Sequence, residues 1–213
     1  WRTPTQTKCL MYWRNLCVSP LLACGFRSCR TCGNSHHYGG VHMGCSKLKI
    51  IALDIDGVLN TPSDYTYIQN YVEAHPGSSR QIPGLMYYDM GDFVNVKHLV
   101  ELQRIHKETG AVILGTSAWF HNDTAHIGIS EFFQIPIIGR SAHNTGGGYW
   151  RAKGIMEYIQ ETQPLEYVIF DDMIEGYEKF DFEHRLFCTA RCGLTRDIAN
   201  TAISILNGEY DEG

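Results

Sequence analysis

The stretch from Ile50 to Asn60, IIALDIDGVLN, constrains this chain more than any other. Four consecutive apolar residues, Ile50 to Leu53, read as a strand covered on both faces, as at the centre of a parallel sheet. Open α/β sheets place their ligand sites beyond the carboxyl ends of such strands. Side chains two residues apart on an extended chain point the same way, so Asp54 and Asp56 are expected to face one point in space. Converging carboxylates repel unless a cation lies between them, and an oxygen-rich site of this kind suits Mg²⁺. A capping Asp-Gly turn would explain Gly57 and one aspartate, but not both.

The 213 residues suffice for one α/β domain with an appendage. No stretch reaches the roughly 18–20 apolar residues of a membrane span. The net charge of −5 hides a division. Residues 1–53 contain no Asp or Glu and seven Lys or Arg, whereas residues 54–213 hold all 23 acidic residues against 11 basic ones, a net −12. Such a domain is a poor non-specific binder of nucleic acid, because neutralising phosphates needs Lys and Arg. Any contact with a polynucleotide is therefore expected to be local.

Six of the eight cysteines precede the motif strand, and only Cys188 and Cys192 follow it. Without a disulfide framework, the later part reads as a protein of a reducing compartment, the cytoplasm, with Cys188 and Cys192 as core thiols. Residues 1–42 form a basic, cysteine-rich leader without clear periodicity. A zinc site built on Cys29 and Cys32 with Cys24, His36, His37, His42 or Cys45 competes there with a secretory signal and with a segment outside the working domain. The last is favoured: the leader is expected to be disordered or not part of the native domain, which would occupy residues 43–213.

After Asn60 comes the turn cluster Thr61-Pro62-Ser63-Asp64, then about 30 residues rich in Tyr, Gly and Pro, read as a loop lying over the sheet edge. Val94 to Thr109 is an amphipathic helix stopped by Gly110. It leads into a second buried strand, Ala111 to Leu114, which ends in Gly115-Thr116-Ser117. A helix opens near Tyr149-Trp150-Arg151-Ala152-Lys153, bringing Arg151 and Lys153 near its start. Val168-Ile169-Phe170 is a third buried strand, and Asp171-Asp172 at its end forms a second acidic pair. A carboxylate pair on each of two neighbouring strands supplies the ligands for one hard divalent ion. Asp197 to Leu206 forms the terminal helix.

This order, strand-DxDG, strand-Thr/Ser, basic helix start, strand-DD, resembles the haloacid dehalogenase-like (HAD) phosphohydrolases over residues 48 to about 206. The sequence is most similar to the HAD domain of Swiss Army Knife RNA repair proteins. Asp-Gly-Val-Leu-Asn, Ser117-Ala118-Trp119, Ile138-Gly139-Arg140-Ser141 and Gly193-Leu194-Thr195 carry that likeness. Phe120 departs from it, standing where an Arg usually follows the Trp.

The resemblance implies a three-layer, Rossmann-like parallel sheet with a small or absent cap. It implies a Mg²⁺-dependent phosphomonoesterase in which Asp54 is the nucleophile and forms an aspartyl-phosphate, and Asp56 is the acid and base. Thr116 would hold a phosphoryl oxygen and Lys153 would stabilise its charge, with Arg151 as rival. Gly57, Ser117 and Arg151 are expected on the substrate side. The metal would be held by Asp54, the main-chain carbonyl of Asp56, and Asp171 or Asp172. The substrate is expected to be a phosphorylated nucleic-acid end, 3′ or 5′, or a nucleotide. A nucleotidase or other small-molecule phosphatase is the enzymatic alternative, and a non-catalytic metal-binding module the other.

Overall fold

A computed structural model describes residues 48–78, 81–88, 92–122, 124–142, 147–182 and 185–210. The expectations for the leader, its zinc ligands included, lie outside the described residues. The apolar run forms β1, Lys49–Leu53, at the centre of a five-stranded sheet. Its neighbours are β4, Val112–Gly115, on one side and β6, Glu166–Asp171, on the other; both pair with it in parallel. β5, Ile137–Arg140, extends the sheet beyond β4, and β7, Leu186–Cys188, extends it beyond β6.

This is the three-layer α/β arrangement expected from the sequence, with helices on both faces. On one face α2, Val96–Thr109, and α5, Arg196–Leu206, pack beside α3, Ala125–Phe133. Ile51, Leu53, Leu102, Ile105, Ile113, Val168 and Phe170 are buried in that layer. On the other face Ala52 and Ile169 pack against Ala152 and Ile155 of α4, Gly148–Thr162, and against Tyr177 and Phe182. Alternate residues of β1 thus serve opposite layers, which is why its sequence shows no polar alternation. Burying each such Ile, Leu or Phe contributes about 1.5–3 kcal/mol.

The segment after Asn60 differs from the expected loop. Pro62–Ala74 is a helix, α1, followed by the hairpin of β2, Leu85–Tyr87, and β3, Phe93–Asn95. The residues read as a turn are a helix start. Pro62 stands in the first turn, and the Asp64 carboxylate accepts from the Thr61 backbone N–H at 2.8 Å. Asp64 is the one buried residue of α1, so no apolar stripe marks the helix in the sequence. Asn95 Nδ2 donates to the same carboxylate at 2.6 Å while Asn95 Oδ1 accepts from Lys97 N, so one side chain caps α2 and ties it to α1.

Cys192, expected as a core thiol, is instead free and exposed, because it lies in the turn between β7 and α5. Among the described residues no helix is long and apolar enough to cross a membrane.

Candidate active site

Because β1, β4 and β6 are parallel, their C-terminal ends open on one edge. Leu53 is level with Gly115 on one neighbour and with Phe170 on the other. The next residues, Asp54, Thr116 and Asp171, are therefore brought side by side. Asp54 N donates to Phe170 O and Thr116 N to Leu53 O, each at 2.9 Å. Three residues from distant parts of the chain meet through sheet register alone.

Asp54, Asp171 and Asp172 each offer an oxygen, and these lie within 4.8 Å of one another. Asp54 and Asp171 are buried, 3% and 0% exposed. The cation beside them is Arg151. Its Nη1 is 3.0 Å from Asp54 Oδ2 and 3.0 Å from Asp171 Oδ2, whereas its Nε is buried without a partner among the described residues. Lys153 is not part of this cluster. Two residues along a helix amount to a turn of about 200°, so Lys153 lies on the outer side of α4, 3.7 Å from Glu157 and over the Trp150 ring.

The charges are closely coupled. Burial, then the Asp171 charge, pushes the Asp54 carboxyl up to about 7, against the attraction of Arg151. Asp172 is raised by the same two causes, burial first. Burial disfavours the charge of Arg151, but attraction from Asp54 and Asp171 outweighs it and raises its pKa. Three carboxylates and one guanidinium leave a surplus of negative charge in a poorly solvated place. That surplus, on oxygen donors, is what a hard divalent cation such as Mg²⁺ fits.

Asp171 is held in place by groups that carried no signal in the sequence. The Tyr177 hydroxyl donates to its Oδ2 at 2.6 Å and Met173 N to its Oδ1 at 2.8 Å. Burial and the Asp171 charge push the Tyr177 phenol up, so it stays a donor. Thr189 N donates to the Asp171 carbonyl, and Thr189 Oγ1 to the Gly57 carbonyl at 3.0 Å. Tyr177 and Thr189 lie in connecting segments, where no periodicity predicts what a side chain reaches.

Asp54 and Asp56 do not face one point, contrary to the strand argument. β1 ends at Leu53, so the two-residue alternation stops before the pair. Asp56 is exposed and held at the rim, where its Oδ1 accepts from Asn60 Nδ2 at 2.9 Å and its Oδ2 from Trp119 Nε1 at 3.1 Å. Its carboxylate is outside the three-carboxylate cluster.

Gly57 has φ +78°, and a Cβ there would lie 2.3 Å from the Asp172 Cβ. Its N–H is taken by Asn60 Oδ1 at 3.0 Å. Gly57 thus serves by lacking a side chain. The Thr116 hydroxyl is fully buried and has no hydrogen-bond partner among the described residues. Ser117 Oγ accepts from Trp119 N at 3.3 Å, capping a short 3₁₀ turn, Ala118–Phe120.

A family model described as the HAD domain in Swiss Army Knife RNA repair proteins matches residues 50–199. The chain belongs to this family. The match runs from β1 into α5 and includes every residue of the site above. No curated protein and no solved structure matches the chain.

Proposed function

We propose that this HAD domain is a Mg²⁺-dependent phosphomonoesterase acting on a phosphorylated nucleic-acid end or nucleotide. The observation that carries the reading is the placement of a buried Asp54 between Thr116 and Asp171, with Arg151 against it. A carboxylate at about 7 would be half protonated at neutral pH and a weak nucleophile. Asp54, Asp171 and Asp172, with the Asp56 carbonyl, would hold the metal, which supplies positive charge that keeps Asp54 ionised and offsets its repulsion from phosphate.

In this mechanism an Asp54 oxygen bonds to phosphorus as the bond from phosphorus to the ester oxygen breaks. The leaving oxygen takes a proton from the Asp56 carboxyl. Asp56, now a carboxylate, removes a proton from water as that water attacks the aspartyl-phosphate, releasing inorganic phosphate and restoring Asp54. The Thr116 hydroxyl, buried and without another partner among the described residues, donates to a phosphoryl oxygen. Arg151 offsets the charge that builds on the phosphoryl group, while Lys153 lies on the outer side of α4, away from it.

The family's occurrence in RNA repair proteins supports a nucleic-acid end as substrate. The −12 charge of residues 54–213 favours contact with the terminal nucleotide over a long backbone. Phosphate release from p-nitrophenyl phosphate should fall to background in Asp54→Asn; retained turnover rejects the nucleophile. Comparing a 3′-phosphorylated oligonucleotide, its 5′-phosphorylated isomer and mononucleotides then separates end repair from a nucleotidase. A chain that binds Mg²⁺ yet releases no phosphate from any of these would be a binding module.

A further inference from the structure

Asp54 is fixed by the surrounding protein, but Asp56 is exposed, and an exposed aspartate ordinarily samples several rotamers. General acid catalysis requires a proton within hydrogen-bond reach of one particular oxygen. Something must therefore hold the Asp56 carboxyl toward the leaving group. Asn60 holds one oxygen, and its own place is set by Gly57 N and by the Phe93 carbonyl, to which Nδ2 donates at 3.1 Å.

The other oxygen is held by the Trp119 indole. Trp119 is in turn fixed on several sides. Its backbone N–H is capped by Ser117, its ring stacks on Tyr88 with centroids 5.9 Å apart and planes 23° apart, and Tyr88 packs on Phe132. Tyr88 belongs to the chain continuing from β2, and Phe132 to α3. The indole therefore joins the acidic rim to two separate elements.

We infer that Trp119 is a positioning residue for Asp56: its indole N–H fixes the carboxyl in the orientation from which the proton passes to the leaving oxygen. This rests on the assignment of Asp56 as general acid. Each carboxyl oxygen has two acceptor positions, so the donors from Asn60 and Trp119 leave room for the transferable proton. In the step served, the Asp54–phosphorus bond forms, the phosphorus–ester oxygen bond breaks, and the ester oxygen leaves with the Asp56 proton. The indole proton stays on its nitrogen.

The test compares kcat/KM for p-nitrophenyl phosphate, whose leaving group needs no proton, with that for ethyl phosphate, whose leaving group does. The ratio cancels uniform losses of binding or folding. Asp56→Asn should lose kcat/KM for ethyl phosphate with little effect on kcat/KM for p-nitrophenyl phosphate, although kcat falls on both because Asp56 also activates the water; an equal loss of kcat/KM on both rejects the general-acid assignment and this inference with it. Given the expected Asp56→Asn result, Trp119→Phe, which keeps an aromatic ring against Tyr88, should lower the ethyl phosphate value about tenfold relative to the other. An unchanged ratio in Trp119→Phe overturns the positioning role while leaving Asp56 as the acid. Independently of activity, the Trp119 indole N–H resonance should move and exchange faster with solvent in Asp56→Asn. A resonance unaffected by that substitution also overturns the inference.

Discussion

Asp54 is held in a state that opposes its own charge. Its carboxyl lies near 7 in the folded chain, against 3.8 as the ordinary value, because burial and Asp171 outweigh Arg151. Between those values the folded state keeps a proton that the unfolded state has lost. This contribution to stability is therefore full below about pH 4 and is lost as pH rises through 7. With divalent ions chelated, urea unfolding should show wild-type stability falling from pH 5 to pH 8 relative to Asp54→Asn, by at most about 1.4 kcal/mol per pH unit. Parallel pH profiles would contradict the assignment of the buried proton. Gly57 makes a second demand. Gly57→Ala combines a positive φ with a collision against Asp172 and should cost roughly 2–4 kcal/mol, read from the urea midpoint.

At the scale of elements, α4 is the part that delivers Arg151, and glycines set its depth. A Cβ on Gly148 would meet the Glu175 carbonyl oxygen at 1.9 Å, and one on Gly154 would meet that of Ala142 at 1.9 Å. Neither neighbour is the flexible end of a side chain. Gly154→Ala should therefore push α4 off the sheet and withdraw Arg151, lowering kcat at least tenfold on p-nitrophenyl phosphate while far-ultraviolet circular dichroism stays unchanged. Gly110→Ala, at a left-handed helix end with open space around its Cβ, is the control. It should lower stability by about 1 kcal/mol and leave kcat alone.

For the whole molecule, charge limits the reach of the substrate. With residues 54–213 at −12, the proposed nucleic-acid substrate should make few contacts through phosphates beyond the terminal one. The apparent KM for a phosphorylated oligonucleotide should vary weakly with salt, with a logarithmic slope no steeper than about 2 in magnitude. A slope of 5 or more would require an extended basic track. Bound Mg²⁺ should also raise the thermal midpoint, because it relieves repulsion among Asp54, Asp171 and Asp172; Asp172→Asn should reduce that rise.

Sequence alone determined the three central strands, β1, β4 and β6, and the acidic ends of β1 and β6; the β2–β3 hairpin and β7 were not legible in it. Continuous apolar runs have one economical use, the centre of a parallel sheet, and a parallel sheet collects its strand ends on one edge. It missed α1, whose capping residues were visible but whose exposed surface leaves no apolar period, and it read Cys192 as buried. Tertiary structure alone decided the distances. Arg151 rather than Lys153 meets Asp54 because the rotation of α4 is fixed by its packing at Gly148, Gly154 and Ile155. Asp56 separates from Asp54 because the chain leaves β1 before the pair. Tyr177, Thr189 and Trp119 join the site from connecting segments, where side-chain direction depends on contacts rather than on any repeat in the sequence.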